Sequence, residues 1–169
     1  MNDPRPGPDP VPVPVAQRDL YWLRRAIALS EASRAQGHHP FACLVVAADD
    51  RILSEAMNAS SSDRTSHAEM VALRAASSAH SPQALAHATL YTSAEPCAMC
   101  AGGTYWAGIG RVVYALSETT LLRLTGNHPE NPTLSLPCRE VFARGQRPVE
   151  VLGPLLEVEA ARVHEGFWG

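Results

Sequence analysis

Thr89-Leu-Tyr-Thr-Ser-Ala-Glu-Pro-Cys-Ala-Met-Cys100 runs, past a glycine-containing stretch, into Arg111-Val-Val-Tyr-Ala115. Thr89 to Thr92 reads as a short buried strand, and Pro96 opens a helix because its fixed φ suits the first helical turn. Arg111 to Ala115 reads as the next strand. Strand, helix and strand in succession make the unit from which parallel sheets with covering helices are built.

Working outward, Leu20, Leu23, Ile27 and Ala28 recur at helical spacing, which predicts a helix over 17–36 stopped by Gly37. Phe41 to Ala47 is apolar and β-branched, Asp49-Asp50 is a turn, and Arg51 to Met57 returns as a second strand. Ser66 is a good N-cap for a helix from His67 to about Ala76. Beyond the central unit, Leu134 to Ala143 reads as a short helix, Val149 to Leu152 as an edge strand and Leu155 to His164 as a closing helix. The expected fold is α/β: three layers, α/β/α, around a central mixed five-stranded sheet. Most of its strands are expected to be parallel, with the opening hairpin making it mixed.

With 169 residues, 46% of them hydrophobic and 18% charged, the chain suits one domain with a buried core, expected over 16–169. Residues 1–15 differ: Pro4, Pro6, Pro8, Pro10, Pro12 and Pro14 alternate with small or polar residues, which favours an extended, disordered tail. That start lacks the marks of a secretory signal, and no apolar run reaches a membrane span. The expectation is a soluble, cytoplasmic protein with reduced cysteines and no membrane partner. All fourteen basic residues are arginine, so chemistry that needs a lysine base or Schiff base is excluded. A net charge of −3 argues against a polyanionic partner such as nucleic acid.

His67, Cys97 and Cys100 offer one nitrogen and two sulfur ligands, and the two-residue spacing puts both sulfurs on the first turn of one helix. Catalytic zinc takes three protein ligands of this kind and keeps a fourth position for water, whose pKa it lowers to about 7. Glu69, two residues past the histidine, would carry protons between water and substrate. Two plainer readings compete. Ser66-His67-Ala68-Glu69 is also a capping box, with the glutamate bonded back to the N-cap amide. Cys43, Cys138 or another histidine would supply a fourth ligand if the zinc were only structural. The latter reading makes the chain a zinc-stabilised binding module with no chemistry. His38, His39, His80 and His87 fall in predicted loops or helix ends and receive no role.

The pattern H-x-E followed by P-C-x-x-C resembles that of the cytidine deaminase-like superfamily, with similarity running from about Leu20 to Tyr114. Asn58 and Asp63-Arg-Thr-Ser-His-Ala-Glu69 are similar to the stretch shared by bacterial guanine deaminases and tRNA adenosine deaminases, with Arg64 where proline is usual. The resemblance implies one Zn2+ per chain, a homodimer, and hydrolytic release of ammonia from a free nucleobase or related aminoheterocycle, guanine leading. It also implies substrate binding by Asn58, by the Ala68 amide, and by Phe41 and Trp106 lining a base pocket. His39-Pro-Phe-Ala42 and Tyr105-Trp106 are closer to guanine deaminases, whereas Gly108 to Val113 is shared with tRNA deaminases. Adenosine in tRNA, or cytidine or cytosine, is therefore the alternative substrate. Guanine deaminases carry a second acidic residue after Ser117, for which Glu130 is the nearest candidate and His128 the other. The closing His164-Glu-Gly-Phe-Trp-Gly169 would be a lid or a packed tail.

Overall fold

A computed structural model describes residues 15–169; the proline-rich residues 1–14, and the expectation placed on them, lie outside it. Helix α1 (Gln17–Ala35) precedes a hairpin of β1 (Ala42–Val46) and β2 (Ile52–Met57). Then come α2 (Ala68–Ala79), α3 (Pro82–Ala86), β3 (Thr89–Ala94), α4 (Ala98–Trp106) and β4 (Arg111–Leu116). The chain closes with α5 (Glu118–Thr125), α6 (Cys138–Ala143), β5 (Glu150–Leu152) and α7 (Glu157–His164).

The five strands form one sheet in the order β2-β1-β3-β4-β5. β1 is antiparallel to both of its neighbours, while β3, β4 and β5 pair in parallel. The sheet is therefore mixed, as expected, with β1 alone running against the other four strands. Alternation along each strand splits the core in two. Cys43, Val45, Leu90, Val112 and Tyr114 face α2, α3, α4 and α6 through Ala72, Leu73, Leu85, Ala101 and Phe142. Leu44, Val46, Tyr91, Val113 and Ala115 face α1, α5 and α7 through Leu23, Ile27, Leu121 and Val163. The three-layer architecture follows from that split.

Several element boundaries differ from the sequence reading. The second helix starts after His67, which is its N-cap, so Ser66 lies outside it. Ser66 instead donates its hydroxyl to Asp63 Oδ2 at 3.0 Å. The helix expected from Leu134 begins only at Cys138, because Pro137 precedes it as the N-cap. The last helix begins at Glu157 rather than Leu155. Helices α3 and α5 were not expected. Ser81 and Ser117 cap them, accepting from the amides of Ala84 and Thr120, but Thr119, Thr120 and Thr125 are weak helix formers that hid the second.

Candidate active site

The parallel strands β3 and β4 end side by side, Ala94 opposite Leu116, and the chain beyond each turns into a helix. Ligands in open α/β sheets collect at such carboxyl ends. Past β3 come Glu95-Pro96 and then Cys97, the N-cap of α4, with Cys100 in its first turn. Opposite them lies the start of α2, with His67 as N-cap and Ala68 and Glu69 as its first two residues. Gly103 lets α4 close on α2, since a Cβ there would stand 2.6 Å from Met70 Sδ.

His67 Nδ1 lies 3.6 Å from Cys97 Sγ and 3.6 Å from Cys100 Sγ. The three ligand atoms fall within 4.8 Å of one another. A tetrahedral zinc with ordinary Zn–N and Zn–S bonds requires nitrogen–sulfur edges of about 3.6 Å, so the donor set fits the ion in chemistry and in spacing. A hydrogen bond from the Cys100 thiol, aided by one from His67, brings Cys97 down to about 4 despite its burial, so thiolate is favoured at neutral pH. Among the described residues no fourth protein ligand joins the group. Cys43 is fully buried and burial raises its pKa well above the usual thiol value, and burial pushes Cys138 up as well. Both are packed thiols.

Glu69 is buried, with 6% of its surface exposed. Its Oε1 accepts from Thr92 Oγ1 at 2.8 Å and its Oε2 lies 3.6 Å from Cys100 Sγ. Burial first, and then the charge of Cys97, raises its pKa above the ordinary carboxylate value. The capping-box reading fails on this geometry. The Ser66 amide donates to Asp63 O at 2.8 Å, and the Glu69 carboxylate points at Thr92 and the sulfurs. Asp63 also accepts from the amide and hydroxyl of Thr65. These side-chain bonds fix the turn that holds Arg64, just before His67.

Asn58 follows β2 and is buried; its amide donates to Phe41 O at 2.9 Å. Its Oδ1 accepts from Ser60 N and Ser60 Oγ, which leaves the Nδ2 hydrogens for a ligand carbonyl. The Ala68 amide sits in the first turn of α2, where amides have no intrahelical acceptor.

Phe41 leads a cluster at the same sheet end. Its ring lies 5.3 Å from His164 and 6.1 Å from Trp168. The C-terminal segment folds back onto this cluster: Trp168 is buried, donates Nε1–H to His164 Nδ1 at 3.1 Å, and packs 5.4 Å from His128. Burial holds His164 down to about 4, so its ring is neutral and can accept that bond. Glu130 is exposed at the rim of the cluster and pairs with His39 Nε2 at 2.9 Å. His39, given no role from sequence, packs 5.1 Å from Trp168 and so ties the tail to the start of β1. Trp106 is not brought to the site. It is 85% exposed at the last residue of α4, about 9 Å along the helix axis from Cys100.

Two residues of this region were not singled out from sequence. Glu95 accepts from the amides of Glu118 and Cys138 at 3.0 Å each, fastening the starts of α5 and α6 to the metal-ligand loop. Glu118 lies beside it, 9% exposed. The signal was a carboxylate just past a strand, one residue after β3 for Glu95 and two after β4 for Glu118, at the end where parallel strands gather ligands.

Comparison with known proteins gives a consistent picture. Residues 16–116 match the cytidine and deoxycytidylate deaminase zinc-binding region. A probable cytosine deaminase of Schizosaccharomyces pombe is 39% identical over 155 residues, 91% of this chain and 94% of the relative. A guanine deaminase of Bacillus subtilis is 40% identical over 101 residues, 58% of this chain; the chain spans 64% of that relative's length. A solved structure in complex with 2,6-diaminopurine superposes with a TM-score of 0.72 at 26% identity, covering 91% of this chain and 83% of that one.

Proposed function

The chain belongs to the zinc-binding cytidine and deoxycytidylate deaminase family and is a hydrolytic deaminase, and from that premise we propose that it acts on a free nucleobase or closely related aminoheterocycle. The observation that carries this is the buried Glu69 carboxylate beside the His67, Cys97 and Cys100 donor set. The aromatic cluster of Phe41, His164 and Trp168 at the same sheet end supports a small planar substrate.

His67, Cys97 and Cys100 would hold a zinc ion, which would supply the Lewis acidity that makes water a nucleophile near neutral pH. Glu69 takes one proton from the attacking water and passes it to the ring nitrogen beside the attacked carbon. It then takes the second from the hydroxyl left on that carbon and passes it to the departing amine, so that the water oxygen stays as the carbonyl and the amine leaves as ammonia. Asn58 Nδ2 and the Ala68 amide orient the base through its acceptors. Phe41 packs against the ring, and Glu130 and His128 border the entrance.

Guanine is the leading substrate. The guanine deaminase relative and the fold neighbour with a bound aminopurine support it. Cytosine is the second reading, favoured by the S. pombe relative, whose match reaches well beyond the stretch shared with the guanine deaminase. The test is ammonia release from guanine, guanosine, adenine, adenosine, cytosine, cytidine and triazine amines, with the Glu69→Ala protein as blank. We expect release from one free base, with kinetics insensitive to salt. Release from no free base, together with inosine formation in tRNA that weakens as salt rises, would transfer the assignment to RNA.

A further inference from the structure

An asparagine side chain can face a ligand with either its carbonyl or its NH2 group, and at Asn58 a neighbour closes that choice. Both the amide and the hydroxyl of Ser60 donate to Asn58 Oδ1, at 2.9 and 2.6 Å. A backbone N–H can only donate, so the atom beside it is the oxygen and the NH2 group is directed away from Ser60. Turning the amide over would set NH2 against N–H, two donors facing each other. Asn58 is 6% exposed, and among the described residues its Nδ2 has no hydrogen-bond partner. The one fully enclosed side-chain atom without a partner there is Thr125 Oγ1, so Asn58 Nδ2 is reachable from outside.

The place is the metal end of the sheet. Met57 pairs with Ala42, and Cys43 with Thr92, the threonine bonded to Glu69; Asn58 follows Met57. The next amide, Ala59 N, donates to Ser66 O at 3.0 Å, one residue before His67. A turn alone does not call for an amide side chain here. Asp63 and Thr65 repeat the same pair of bonds at 2.9 and 2.8 Å with a carboxylate, whose second oxygen accepts from Ser66 Oγ at 3.0 Å. The corresponding second atom of Asn58 is a donor that no protein group uses, on a buried residue beside the metal ligands, and its acceptor falls to the occupant of the site.

We propose that Ser60 is a positioning residue that makes Asn58 a donor-only reader, so that the site takes bases with a carbonyl one ring nitrogen away from the carbon that loses its amine. This deepens the free-base reading above and rests on it. Cytosine and guanine share that arrangement: the amine-bearing carbon, a ring nitrogen and a carbonyl carbon follow one another. In adenine the third position is C–H, which offers Nδ2 no acceptor. A site built to hydrogen-bond one substrate group rejects an analogue without it far more strongly than a site that only packs against it. Ser60 and Asn58 together therefore admit both leading substrates and turn adenine away.

The experiment measures kcat and KM for guanine, cytosine and adenine, and inhibition constants for 2-aminopurine and 4-aminopyrimidine, which lack the carbonyls of guanine and cytosine. It uses the wild-type holoenzyme, Ser60→Ala and Ser60→Thr, with zinc content and thermal midpoint measured alongside. The wild-type protein should turn over a carbonyl-bearing base and prefer it to adenine by at least about 100-fold in kcat/KM. Ser60→Ala should raise KM for that base by about tenfold with kcat and zinc content little changed, and should leave the inhibition constant of the matching carbonyl-free analogue where it was. Ser60→Thr, which keeps the hydroxyl, should restore the wild-type KM. Turnover of adenine on a par with guanine or cytosine would overturn the proposal and leave the free-base reading standing. So would a Ser60→Ala protein that weakens base and analogue in proportion, that weakens neither, or that loses kcat alone. Silence of the wild type on every free base would remove that reading and this proposal together. Should the variants not fold, the wild-type comparison of adenine with guanine and cytosine still decides.

Discussion

A group that carries protons has to be accommodated in both of its charge states, and Thr92 does this for Glu69. Thr92 Oγ1 lies 2.8 Å from Glu69 Oε1 and 2.9 Å from Ala94 O, but a hydroxyl has a single proton to give. When Glu69 is ionised it accepts that proton. When Glu69 is protonated it donates to Thr92 instead, and Thr92 turns to the Ala94 carbonyl. Removing the carboxylate should therefore remove the chemistry and leave the metal site. Glu69→Ala is expected to lower kcat by about 10²–10⁴ or more, with zinc content by atomic absorption unchanged. Activity retained within about tenfold would mean that another group moves the proton.

At the scale of elements, Glu95 joins two helices that share no sequence neighbourhood. Its two oxygens accept from the first amides of α5 and α6, residues 23 and 43 positions away. Glu95→Ala leaves both buried amides without acceptors, at about 1–3 kcal/mol each. For a domain of this size that corresponds to a fall in thermal midpoint of roughly 5–20 °C. Glu95→Gln keeps one acceptor and should fall in between. Differential scanning fluorimetry of the three proteins tests the ordering; an unchanged midpoint in Glu95→Ala would show that water replaces the carboxylate. Much of the element pattern was legible: α1, the hairpin, β3, β4 and β5 follow from apolar periodicity and turn residues. Helix α5 was not, because its stability comes from Leu121 in the core, from the Ser117 cap and from Glu95 rather than from local propensity.

Across the whole molecule, α1 is fixed to the sheet by a buried network. Asp19 accepts both arms of the Arg111 guanidinium at 2.6 and 2.9 Å and the Tyr91 hydroxyl at 2.9 Å. Arg111 also donates to Glu150 at 2.6 Å, so α1, β3, β4 and β5 meet there. Burial alone would raise the Asp19 pKa, but the Arg111 hydrogen bonds, the Ala16 amide and Tyr91 bring it below the usual value of 3.8. A carboxyl that titrates lower when folded contributes its full stability above the unfolded pKa and loses it as pH falls through the folded one. The gap in unfolding free energy between wild type and Asp19→Asn, about 3 kcal/mol at pH 7, should therefore narrow as pH drops below about 4. Urea melts at pH 7 and pH 3 measure it, and a gap independent of pH would assign the effect to packing. Nothing in the described residues is long and apolar enough as a helix to cross a membrane.

The resemblance to H-x-E and P-C-x-x-C singled out His67, Glu69, Cys97 and Cys100 in the sequence, because two cysteines in one helical turn and a carboxylate two residues past a histidine are local patterns, while the meeting of the two patterns is a tertiary contact across 30 residues. Local geometry also produced the α/β layering, since side-chain alternation and helical periodicity repeat within a few residues. Only the tertiary structure decided between capping and the metal site for Glu69, by placing Thr92 and Cys100 against its carboxylate. It alone set Trp106 in solvent, paired Glu130 with His39, and brought Glu118 to the metal-side edge. Those outcomes depend on which strand ends lie side by side and on what the C-terminal segment folds over, and contacts between residues far apart in the chain leave no periodic trace in it.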